Sequence, residues 1–175
     1  MPIDRAPDYT ALTDAIRGVV ESMRASGRAL LRWGPHREPL ERVTPSDPPI
    51  VQVEFGVPRR HLASPLSRTG DYRIDDVLVT IGVLYHRAGG NALPVPLGGS
   101  ADSVGTRALN LGARLVRKLT TPGELSWSPG GGATGLVDGC LQADEDAGEV
   151  VDEGNRYIVR HRFRAWVALQ QTDNP

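Results

Sequence analysis

The run from Arg156 to Leu169 constrains the fold more than any other stretch of this chain. Read with a period of two, Tyr157, Val159, His161, Phe163, Ala165, Val167 and Leu169 share one face, while Arg156, Ile158, Arg160, Arg162, Arg164, Trp166 and Ala168 share the other. Strict alternation rich in β-branched and aromatic residues predicts a strand with one face in a core and one polar face. Unbroken, it would span roughly 46 Å at about 3.3 Å per residue, well beyond a usual strand. Such a length implies either a bulge that bends it or pairing that reaches beyond its own subunit.

A strand of this kind needs partners and a covering layer, and the rest of the chain offers both. A helix is expected over Thr10–Ser26, where Leu12, Ile16, Val19, Val20 and Met23 form one apolar stripe and Gly27 supplies a stop. Five prolines between residues 34 and 49 exclude helix and central strand and predict an extended connector. Ile50–Phe55 alternates and reads as a strand, followed by a loop over 56–70. Asp76–His86 is a second strand, apolar on both faces and so expected to be central and covered on both sides. A Gly/Pro-rich loop over 88–99 leads to a helix from Ser103 to Leu119, with Arg114, Arg117 and Lys118 at the favourable end of its dipole. A short strand at 125–127, a turn at 129–135 and a weaker strand at 136–143 follow. An acidic stretch (Asp144, Glu145, Asp146, Glu149, Asp152, Glu153) then forms a hairpin with the final strand through the turn at 152–155.

The order predicts a single α+β domain over residues 1–175, with a structured core over 8–170 and flexible ends at 1–7 and 171–175. Its expected architecture is a mostly antiparallel sheet of about four to five strands against two helices, with long Pro/Gly-rich loops. Gly 20 and Pro 14 in 175 residues agree with so much irregular chain. A net charge of −1 argues against a uniformly basic polyanion binder. Cys140 stands alone, so no disulfide can form within the chain, and a reduced thiol in a cytoplasmic protein is expected. Neither a signal-peptide core nor an apolar run of membrane-spanning length is present.

Motifs for chemistry fail on their context. Gly130 to Gly135 matches the spacing of a dinucleotide loop, but Leu136–Leu141 after it lacks helical periodicity, so a flexible loop is the better reading. His36, His61, His86 and His161 show no metal-ligand spacing, and His161 on the apolar face reads as a core or interface imidazole. Asp75 and Asp76 are adjacent in a strand and therefore point to opposite faces, which separates them as a catalytic or metal pair. No catalytic residue, cofactor or metal is expected, and the chain does not read as an enzyme.

Arg160, Arg162 and Arg164 carry more information. At i, i+2 and i+4 they form a positive ridge on one sheet face. It is either a solvated surface paired with the acidic partner around Glu149, or a face that meets a neighbouring subunit or a nucleic-acid backbone. On the second alternative, replacing all three by Gln leaves the fold intact and weakens assembly.

The layout Thr10–Ser26, Ile50–Phe55, Asp76–His86, Ser103–Leu119 and Arg156–Leu169 resembles the tail terminator proteins of long-tailed, lambda-type phages. The acidic turn Asp152–Arg156, leading into a basic-aromatic closing strand, is similar as well. The resemblance implies a structural virion protein, assembled in the host cytoplasm, that forms a hexameric ring on the finished tail tube and joins it to the head connector. It implies as partners other copies of the chain, the tail tube protein, the connector, and genomic DNA passing through the ring without sequence specificity. On this reading Arg59, Arg60, His61, Arg68 and Arg87 lie in interface loops, and the arginine ridge faces a neighbour or the DNA channel. A head-side neck or head-completion protein is the first alternative, and a small α+β ligand-binding domain or enzyme the second.

Overall fold

Two fifteen-residue strands, β6 (Tyr72–His86) and β10 (Arg156–Gln170), run antiparallel side by side along their whole length, from Arg156 opposite His86 to Gln170 opposite Tyr72. The computed structural model describes residues 9–34, 48–57, 59–61, 72–86, 104–125, 133–136, 139–144, 149–152 and 156–170. In chain order the remaining elements are α1 (Tyr9–Ser22), β1 (Arg24–Ala25), β2 (Arg28–Ala29), β3 (Arg32–Trp33), β4 (Ile50–Phe55), β5 (Arg59–His61), α2 (Val104–Thr120), β7 (Ala133–Leu136), β8 (Gln142–Ala143) and β9 (Glu149–Asp152).

The free edge of β6 is occupied by β4 and then β5, and the Gly56 N–H donates to the Leu78 carbonyl at 2.8 Å between them. The free edge of β10 is shared by β9, β8 and β7 in turn. Outermost on the β4 side, β3 pairs in parallel. The sheet is therefore about five strands wide and almost wholly antiparallel, an α+β fold as the element order predicts. The great length of β10 is accommodated within one chain: β6 pairs with all of it, three short strands divide its other edge, and a register shift falls at Ala168/Leu169.

Alternation decides which face is covered. Val77, Val79, Ile81 and Val83 of β6, with Val159, Phe163, Ala165 and Val167 of β10, are buried against the apolar stripes of both helices. Leu12, Ile16, Val19 and Val20 come from α1, and Leu111, Leu115 and Leu119 from α2. The opposite face is half-buried along Leu78, Thr80 and Gly82, and a small second cluster forms where Ile50 and Leu84 are buried beside Ile158.

Several expectations need correction. The first helix ends at Ser22, whose hydroxyl donates to the Val19 carbonyl, and not at Ser26. Ser26 and Gly27 both have positive φ (50° and 78°), the requirement of a tight turn joining β1 to β2, so Gly27 closes a hairpin and not a helix. Arg59–His61 form strand β5 inside the segment expected to be loop, because the uncovered lower half of β6 offers its backbone as a template. Ala133–Leu136 also pair as a strand where a turn was expected, and Gly139 (φ 65°) breaks the predicted 136–143 strand so that only Gln142–Ala143 rejoin the sheet. Leu125 lies in a bend and not in a strand. The proline-rich 35–47 connector, the 88–99 loop and both chain ends lie outside the described residues.

Candidate functional site: the arginine row of the sheet

Arg160, Arg162 and Arg164 reach the helix-free face because the alternation of β10 turns His161, Phe163 and Ala165 toward the helices. The three guanidinium groups have different surroundings. Arg160 Nη1 donates to Glu149 Oε2 at 3.1 Å, from the residue directly opposite it on β9. Both side chains are about half exposed, at 41% and 51%, so this is a solvated surface pair of little energetic weight.

Arg164 is held more firmly. Its Nη1 donates to Asp76 Oδ2 at 2.6 Å, and its Nε lies 3.6 Å from Asp144 Oδ1. Asp76 sits diagonally across the β6–β10 ladder and is only 5% exposed. Its negative charge, reinforced by that of Asp144, raises the Arg164 guanidinium above its ordinary pKa. One residue pair further along, Trp166 Nε1 donates to Gln142 Oε1 at 3.1 Å and fixes the indole over the β8 edge.

Arg162, between them, has neither hydrogen bond nor ion pair from its side chain among the described residues. Thr80 lies opposite it, and the exposed carboxylate Glu54 lies one strand further on. Two strand spacings separate Arg162 from Glu54, about 9–10 Å between backbones, too far for a direct pair without bending of both side chains. The row therefore presents one uncommitted guanidinium flanked by two that are tied to carboxylates. Such a group offers a planar fork to a carboxylate or phosphate brought by a partner.

Of the other expected residues, Arg59 is exposed at the β5 end of the same face, opposite Asp76, and makes no ion pair among the described residues. Arg60 falls opposite Asp75 and His61 opposite Ile74, both in β5 and not in a loop. Arg68 and Arg87 lie outside the described residues. Asp75 and Asp76 do separate to opposite faces, Asp75 fully buried on the helix side.

His161 is placed as its alternation requires, on the helix side. Its ring centroid is 6.5 Å from that of Phe163, and its Nε2 end lies against Gly112 of α2. Nε2 is buried and has no hydrogen-bond partner among the described residues, and burial pushes the imidazole below its ordinary pKa.

The sequence reading passed over a cleft between α2 and the β1–β2 hairpin, into which Arg24, Arg114, Arg117 and Lys118 converge. The helix residues were accounted for by the dipole alone. Their i, i+3, i+4 spacing was visible in the sequence, but β1, the strand that brings Arg24 to the other wall, falls inside the expected helix. Among the described residues no group of three or more His, Cys, Asp or Glu could hold a metal ion, and no helix is long and apolar enough to cross a membrane.

No protein-family model matches this chain, and the comparison with curated proteins found no similar sequence.

Proposed function

We propose that this chain is a structural virion protein of the tail-terminator type, a subunit of a hexameric ring that caps a phage tail tube and joins it to the head connector. The observation that carries the reading is the order helix, strand, long strand, helix, long closing strand, built into one sheet with helices on a single face. Among the described residues no helix packs on the other face, where Arg162 is uncommitted and Arg59 exposed, and that is the face offered to a neighbour. In a closed ring every subunit presents the same pair of complementary surfaces, so one uncommitted cation per subunit is repeated around the axis. The tail tube protein and the connector are the partners of this reading. DNA passes through the ring and is met through its phosphates, without sequence specificity.

The test is light scattering of the purified protein, followed by electron microscopy with and without tail tubes. The expected outcome is a discrete ring, either in solution or assembled on the tube end, where it stops further polymerisation. Rings that bind portal-side connectors and ignore tubes would place the protein on the head side of the joint. A strict monomer that never associates with tube ends would sink the proposal.

A further inference from the structure

We propose that the cleft between α2 and the β1–β2 hairpin binds a small organic phosphate carrying two or more phosphate groups. This goes beyond the assembly role and rests on a different part of the molecule. The cleft has a volume of about 400 Å³, within the range of small-molecule sites and far below what a protein partner occupies. One wall is α2, where Arg114, Arg117 and Lys118 share a helix face at i, i+3 and i+4. The facing wall is the hairpin, which contributes Arg24.

Charge in the cleft is one-sided. Four cations line it against the single carboxylate of Glu124, which lies 3.3 Å from Lys118 Nζ. Arg24, Arg114 and Arg117 are exposed and have no ion pair among the described residues. Three guanidinium forks on two walls suit the oxygens of adjacent phosphates better than they suit one monovalent anion.

The negative end of the α2 dipole would oppose an anion here, but the hydroxyls there are turned against it. Thr120 Oγ1 donates to the Val116 carbonyl at 2.9 Å and Thr121 Oγ1 to the Arg117 carbonyl at 2.6 Å, so two carbonyls near the helix end have hydroxyl donors. Met23 and Leu30, both buried, form an apolar floor that gives the carbon portion of a ligand a place to lie. Convergence of the cations on one concavity, with apolar surface beneath, favours a compact organic phosphate over a polynucleotide, which would need a track of cations.

Isothermal titration calorimetry of the full chain with ADP, pyrophosphate and adenosine tests this. Expected is saturable 1:1 binding of ADP in the micromolar range, weaker binding of pyrophosphate, and none of adenosine. The double variant Arg114→Gln/Arg117→Gln should weaken ADP binding by roughly tenfold or more, the scale of losing charge-assisted hydrogen bonds. Arg24→Gln on the opposite wall should weaken it independently, and serves if the double variant fails to fold. Arg17→Gln removes an exposed cation outside the cleft and should leave affinity unchanged.

No saturable binding of ADP or pyrophosphate, or an equal loss in Arg17→Gln, would overturn the proposal. Equal affinity for ADP and pyrophosphate would overturn its organic half, and tight binding of a single-stranded oligonucleotide that ADP does not displace would replace it with a polynucleotide surface. None of these readings needs a ring or a tail tube, so failure here leaves the assembly role standing, and the reverse holds as well.

Discussion

The three arginines of β10 share a face and a spacing but not a role. Arg164 neutralises Asp76, a carboxylate that is 5% exposed, and removing the cation leaves that charge poorly solvated. Arg164→Gln is therefore expected to lower the urea midpoint, whereas Arg162→Gln should change stability by no more than about 0.5 kcal/mol, as for a surface substitution without partners. In the proposed ring, assembly should show the opposite ranking: Arg162→Gln weakens it while the fold stays intact. Replacing all three at once would confound the two effects, which paired urea melts and light scattering on the single variants separate. Equal midpoints for the two variants would show that Asp76 does not depend on Arg164. His161 makes a second expectation at this scale. Its imidazole is depressed by burial, so the unfolded chain takes up the proton more readily than the folded one. The stability tied to this residue is then complete above the unfolded pKa of about 6.5 and declines as pH falls through that value toward the lower folded one. His161→Leu should remove this part of the slope between about pH 7.5 and about pH 5.5 in urea titrations, and an unchanged slope would assign it to other groups. Alternation alone placed His161 on the core side. That its Nε2 has no partner among the described residues could not be read from the sequence, because it depends on which helical residue meets the ring.

That residue is Gly112, and the contact sets how closely α2 approaches the sheet. A Cβ added at Gly112 would lie 2.8 Å from His161 Nε2 and 3.0 Å from its Cε1. Gly112→Ala gains about 1 kcal/mol of helix propensity but overpacks the interface at a cost of about 1–3 kcal/mol, so the net expectation is destabilisation. In a His161→Ala background the clash disappears, and the same substitution should become stabilising. A double-mutant cycle of urea midpoints reads this reversal directly, and additive effects would show that α2 moves aside freely. Gly18 provides the contrast within α1. Nothing lies within 4 Å of its added Cβ, so Gly18→Ala should stabilise by about 0.5–1 kcal/mol. At the level of elements, periodicity located α2, β4 and β10 to within a residue and found the C-terminal two thirds of β6. It failed at β1, β2, β5 and most of β7, and it found β8 only as the end of a longer expected strand; all are two to four residues long. Segments that short carry no period, and they become strands only because β6, β10 or a tight turn presents a partner backbone. The cleft was lost for the same reason, since Arg24 joins Arg114 and Arg117 only once Ser26 and Gly27 reverse the chain.

Across the whole molecule, the sheet is organised by its most distant pairing. Arg164 and Asp76, which meet across the central ladder, are 88 residues apart in sequence. The α+β class and the one-sided helix layer were legible because they follow from apolar periods, which each segment carries locally. The hairpin mate of β10, the acidic segment that forms β9, was legible too, but its long partner β6 was not, because any of the other predicted strands satisfies its alternation equally well. Closing so long a loop before any of its contacts form is entropically costly, so folding is expected to be slow, in the millisecond-to-second range of proteins rich in non-local pairs. Once formed, β6 and β10 are covered on both edges and buried on the helix side, whereas β1–β2 forms a separate two-stranded ribbon and β7 and β8 pair through only a few residues. Local opening should therefore release the ribbon and the outer strands at little cost and leave the central pair until global unfolding. Hydrogen exchange followed by mass spectrometry checks this: amides of Val79–Val83 and Val159–Phe163 are expected to exchange last and together, at the rate set by global stability. Peptides covering Arg24–Ala29 and Gln142–Ala143 should exchange early. If α1 and α2 outlast the two strands, the helices and not the β6–β10 ladder are the stable centre. The sheet would then be the layer free to rearrange on assembly, which would reverse the roles assigned to the two faces.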